Sequence, residues 1–148
     1  MKPLPWKQPL LRLHHFGIVF GAIPQKLLWI ELPSVRRLHY LSPQVGPGGF
    51  TYLHPSDKGW QRRKLYGSKL TENLVQAISR DLLAAAMLRA DADGLTIVGH
   101  THDEIICLEP QDATDALARL ITAMTAPVPW APDLRLKAEG YEGTIYKK

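Results

Sequence analysis

Leu95-Thr-Ile-Val-Gly-His-Thr-His-Asp-Glu-Ile-Ile-Cys-Leu108 holds two short β-prone runs around a polar cluster. Leu95–Val98 and Ile105–Leu108 have the length and branched residues of strands, so the stretch reads as a hairpin. Its connection crowds two imidazoles, His100 and His102, with two adjacent carboxylates, Asp103 and Glu104. Neighbouring carboxylates repel, and a cation, a metal ion or open water compensates them. The stretch therefore reads either as a solvated surface turn or as a site with chemistry at its tip.

A long helix is expected just upstream, over Ser68–Ala90. Ser68 is suited to its first turn, and Gly94 of Asp91-Ala-Asp-Gly94 to its end. Leu70, Leu74, Ile78 and Leu82 form an apolar stripe. Lys69, Asn73, Gln76 and Arg80 fall within roughly 60° of one another at 100° per residue, giving a polar, partly cationic face. Downstream, Gln111–Thr125 has helical spacing at Ala116, Leu117, Leu120, Ile121 and Met124, with Asp112 in its first turn and Pro127-Val-Pro129 as its stop. A last strand is expected between Leu134 and Tyr146. The expected fold class is α+β: a small antiparallel sheet made of the His-Asp-Glu hairpin, the terminal strand and a Leu28–Tyr40 hairpin, the last implied only by the family resemblance given below, packed on the two helices.

At 148 residues, 45% of them apolar, the chain has the material for one modest core. No apolar run approaches the roughly 20 residues of a membrane span, and prolines break the first twenty residues, so neither a membrane helix nor a signal peptide is expected. The single cysteine, Cys107, sits in an apolar run, as an inert thiol of a reducing cytoplasm would. Residues 1–75 carry eleven Lys or Arg against three acids, a balance of +8, and residues 76–148 seven against eleven, a balance of −4. Arg36-Arg37 and Arg62-Arg63-Lys64 suit a polyanion, or equally a solvated strand edge protected by charge. Residues 1–27, opening with Met-Lys-Pro-Leu-Pro-Trp-Lys-Gln-Pro, read as an irregular arm ahead of a domain at 28–148.

In their order and spacing, Tyr66-Gly-Ser-Lys-Leu-Thr-Glu-Asn-Leu-Val-Gln-Ala-Ile-Ser-Arg-Asp-Leu-Leu83, the His-Asp-Glu hairpin, Pro129-Trp-Ala-Pro-Asp-Leu and Ala138-Glu-Gly-Tyr-Glu-Gly143 resemble the C-terminal palm of family A DNA polymerases, in particular the phage and prophage branch. Leu32-Pro-Ser-Val-Arg-Arg-Leu-His-Tyr40 resembles the strand pair preceding the helix in that branch, where Gly usually stands in place of Val35. The resemblance implies that Asp103 is the metal-binding Asp of motif C and Glu104 its less critical acidic neighbour. It places His102 near the primer terminus and Gln76 at the minor groove, with Asn73, Lys69 and Arg80 as further DNA-facing candidates. It implies magnesium or manganese as cofactor, since hard cations prefer carboxylate oxygens, and primer–template DNA as partner.

The second catalytic Asp of the family, in an Asp-Tyr-Ser-x-Ile-Glu segment, and its nucleotide-gripping fingers helix have no counterpart in the chain. The expectation is a polymerase fragment inactive alone, binding metal weakly, and handling nucleoside triphosphates only if a partner chain supplies the rest. Two other readings stay open: a non-catalytic DNA-binding module or prophage remnant, and a metallophosphoesterase, whose last metal motif Gly99-His-Thr-His102 matches although its upstream segments do not.

Overall fold

The computed structural model describes residues 12–13, 17–23 and 26–146. It is α+β and separates into two compact units, residues 1–78 and 79–148, with the division inside the long helix.

The first unit is an antiparallel meander of six strands: β1 (Arg12–Leu13), β2 (Ile18–Ile23), β3 (Leu27–Glu31), β4 (Arg37–Gly46), β5 (Gly49–Ser56) and β6 (Gly59–Lys64), each paired with its sequence neighbour. Period-2 alternation sends Ile18, Ile30 and Tyr40 to one face, where Leu65 joins them. Leu70 and Leu74 of helix α1 (Gly67–Ala92) close this core. Tyr40 and Tyr52 meet edge to face with centroids 5.0 Å apart, and burial raises the Tyr40 phenol above its ordinary pKa.

The expected Leu28–Tyr40 hairpin is β3–β4. Val35 N–H donates to Leu32 C=O, and Leu32 N–H to Arg36 C=O, which defines a three-residue loop with Pro33 at its first position. The third loop residue must be left-handed, and Val35 has φ 62°. A β-branched residue is strained there, whereas glycine would adopt the conformation without cost from a Cβ. Further along β4 the register shifts between Leu41 and Gln44, where Ser42 has φ 46°. Pro43 is tolerated in a strand because this irregularity asks no ladder bond of it.

The sequence reading missed β5 and β6. Their turn, Asp57-Lys58, precedes Gly59 at φ 84°. Every residue of β6 is exposed, and Gln61-Arg-Arg-Lys64 shows no apolar alternation; an edge strand charged against unwanted pairing looks like loop from sequence. Ile18–Ile23 is likewise a strand within the stretch expected to be an irregular arm. Its proline-rich opening lies outside the described residues.

The second unit contains the end of α1, β7 (Ile97–Thr101), β8 (Glu104–Cys107) and α2 (Ala116–Thr125) around Ala90, Leu95 and Ala123. Helix α1 spans the expected residues and ends in a Schellman motif. Leu95 N–H donates to Ala90 C=O, Gly94 N–H to Asp91 C=O, and Gly94 has φ 84°. Ala90 and Leu95 are both buried, giving the apolar contact that accompanies this cap.

The two helix ends are held reciprocally. Ala123 C=O lacks an intrahelical donor because the residue four on is Pro127, and Arg89 of α1 supplies one from Nε at 2.9 Å. Arg119 of α2 donates in turn to the carbonyl and, at 2.8 Å, to the side chain of Asp93 at the end of α1. Arg89 lies in the last turn of α1 and reaches the C-terminal end of α2, where the dipoles favour a cation, and Arg119 reaches the C-terminal end of α1 from the first turn of its own helix.

Three expectations are corrected here. The His-Asp-Glu hairpin forms its own two-stranded sheet and does not join β3–β4. Helix α2 begins at Ala116, so Asp112 lies in the preceding turns; Gln111-Asp-Ala-Thr-Asp115 is made of short polar residues that favour turns, and the apolar spacing starts only at Ala116. No strand forms over Leu134–Tyr146. That segment is mostly exposed, contains Gly140 and Gly143, and makes no ladder; the one bridge nearby joins Val128 and Ala131.

Candidate functional site

Strands β7 and β8 pair Thr101 with Glu104, leaving His102-Asp103 as a two-residue turn. Two-residue connections use mirror-image turns, which need a positive φ; His102 supplies it at 52°, and histidine is among the residues enriched there. The consequence is positional: Asp103 stands exposed at the tip, with Glu104 beside it at the start of β8 and His100 exposed on β7. A register shift between Ile97 and Gly99 bends β7 just before the tip.

The two carboxylates differ in their engagement. Tyr146 Oη donates to Glu104 Oε2 at 2.7 Å, bridging 42 residues. The same bond raises the Tyr146 pKa, because the phenol next to a carboxylate resists becoming an anion. No sequence spacing relates these positions, and the phenol was missed for that reason. Among the described residues no group of three or more His, Cys, Asp or Glu side chains is placed to hold a metal ion. As a donor set, Asp103 and Glu104 suit a hard divalent cation in part; water or further ligands must complete its shell. Cys107, on β8, packs against the second core, and burial pushes its thiol pKa up.

The polar stripe of α1 is less uniform than its spacing suggested. Lys69 bonds both oxygens of Glu72 at 2.9 Å, which raises its pKa, and Gln76 donates to Glu72 at 3.3 Å. Asn73 is half-buried and donates to the Tyr40 hydroxyl at 3.2 Å, so it also ties the helix to the sheet of the first unit. Gln76 and Arg80 are exposed. Arg36, from the basic pair, donates to Ala77 C=O at 2.8 Å. Lys69, Asn73 and Gln76 belong to the first unit, whereas Arg80, His102, Asp103 and Glu104 belong to the second.

No helix among the described residues is long and apolar enough to cross a membrane. No family model and no solved structure matches the chain. A curated relative does: a protein described as a DNA polymerase, from Bacillus phage SP02, is 36% identical over 154 aligned positions. The alignment covers 99% of this chain and 22% of the relative, so what the chain resembles is a segment of a phage DNA polymerase.

Proposed function

We propose that the chain carries the motif C part of a family A polymerase palm and contributes it to template-directed nucleotidyl transfer. The observation that carries this is the exposed two-residue turn presenting Asp103 beside Glu104, in a chain 36% identical to a phage DNA polymerase over nearly its whole length. In this reading Asp103 and Glu104 hold magnesium or manganese, which when bound stabilises charge on the attacking and leaving oxygens. Asp103, at the tip, is the principal ligand. Glu104 shares one oxygen with Tyr146, so it orients rather than dominates. His102, one position before, lies beside the primer end. Gln76 and Asn73 meet the minor groove, where the acceptors common to all base pairs report pairing shape, with Lys69 and Arg80 toward phosphates.

One set of carboxylates makes half of a two-metal site, so the reading requires the rest of a polymerase. Primer extension by the purified chain is expected to be undetectable. Adding a polypeptide that supplies the second Asp and the fingers helix should restore it; Asp103→Ala should then abolish extension, and Glu104→Ala reduce it less. Extension by the chain alone, or reconstituted extension indifferent to Asp103→Ala, would refute the assignment. A tight stoichiometric zinc site lost in His100→Ala would favour the phosphoesterase reading, which no observation now supports.

A further inference from the structure

The six-stranded sheet uses one face for its core, and alternation leaves Trp29, Arg37, Trp60, Arg62 and Lys64 on the other. Trp29 lies flat on the sheet. A Cβ built on its partner Gly21 would stand 2.0 Å from the indole, so the ring occupies the space that any other residue would take. The Arg37 guanidinium stacks 4.3 Å from the Trp29 ring centre while bonding Glu31 at 2.8 Å, and half of its side chain remains exposed.

Arg62 is also held in place, by neutral acceptors: it donates to Ser42 C=O at 3.0 Å, Thr51 Oγ1 at 3.3 Å and Ser42 Oγ at 3.4 Å. Its charge is therefore positioned but not neutralised by these bonds. Trp60, on the edge strand, is 60% exposed and absent from the core. Glu31 is the only acid in the six strands.

We propose that this outer face is a platform for single-stranded DNA. Flat aromatic and guanidinium surfaces stack on unpaired bases, and fixed cations track the phosphates. A duplex keeps its bases inside and would use only the cations. Leu27, Leu41 and Leu53 pair across the middle of the face, with Trp29 and Arg37 on one side of them and Trp60, Arg62 and Lys64 on the other. Holding Arg37 and Arg62 in place beforehand reduces the entropy lost on binding. The choice of DNA rests on the polymerase reading, in which template arrives unpaired; the platform itself does not.

The test is anisotropy of a labelled oligo-dT, with tryptophan fluorescence recorded in parallel, on the full chain at low salt. Binding should quench tryptophan and exceed binding of a duplex of equal length. Trp60→Ala should weaken oligo-dT binding about tenfold, a typical loss for one stacked base, and leave duplex binding within about twofold. Circular dichroism should be unchanged, because Trp60 is exposed. Lys64→Ala gives a second variant that removes no aromatic group and should weaken both ligands. No oligo-dT binding, or binding indifferent to Trp60→Ala, would overturn the proposal. Self-association lost in Trp60→Ala would also overturn it and make the face an interface between copies. Because these are binding measurements on this chain alone, they can fail while reconstituted extension succeeds, and the reverse.

Discussion

Val35 is the residue where local chemistry and backbone disagree most. It sits at φ 62° and is 77% exposed, so its side chain returns little packing for the strain. Val35→Gly should stabilise the protein by about 0.5–1 kcal/mol, relief of left-handed strain outweighing the added freedom of the unfolded chain. A urea midpoint shifted upward at unchanged slope would show it; a fall would mean that the loop is held by something other than the turn. Tyr146 makes the opposite case, an exposed residue with a specific partner. Its pKa is raised by Glu104, so the stability tied to this bond is fully present below the ordinary tyrosine pKa and is lost as pH rises through the raised one. In a titration followed by phenolate absorbance, Tyr146→Phe should remove one late-titrating tyrosine and leave the late step of buried Tyr40. Loss of an early-titrating tyrosine instead would contradict the bond.

At the level of elements, α1 and α2 complete each other's ends. Pro127 deprives Ala123 C=O of its donor, and only the fold brings Arg89 to it. Arg89→Ala should therefore cost about 1–3 kcal/mol, the usual penalty for stranding a partly buried acceptor. Arg89→Lys should recover part of it, because an ammonium can still reach a carbonyl. Thermal denaturation of the two variants decides this, and equal losses would place the contribution in the alkyl packing of Arg89. The hairpin β7–β8 was legible from its two apolar runs, since branched residues on either side of a polar cluster admit few other local structures. Its separation from the larger sheet was not, because strand partners are chosen by packing between elements distant in sequence.

For the whole molecule, the charge imbalance between the two parts of the chain would set how it meets DNA under the proposed function. The first 75 residues carry a balance of +8, so affinity for nucleic acid should fall steeply with salt. For single strands the logarithmic slope should lessen by about 0.7 when one phosphate-contacting cation such as Lys64 is removed. A slope unchanged in Lys64→Ala would place the phosphate contacts elsewhere. The chain spans 22% of the phage polymerase that it resembles, and activity on a primer belongs to the assembled enzyme in this reading.

The sequence by itself determined the elements whose signals are local: the long helix with its Gly94 stop, the hairpin around His102 and Asp103, and the α+β class. Each rests on periodicity or turn chemistry within a few residues, which is why spacing alone was enough. Of the candidate site, the cluster of Asp103 and Glu104 and the polar stripe of the helix were visible as residues, and their proposed roles came only from the family resemblance. Tertiary structure decided the rest. It made a strand of the charged Gly59–Lys64 segment, kept the two sheets apart, left Leu134–Tyr146 without a ladder, and brought Tyr146 to Glu104 and Arg89 to Ala123. These depend on which groups lack partners once the chain is packed, and no window of neighbouring residues contains that information.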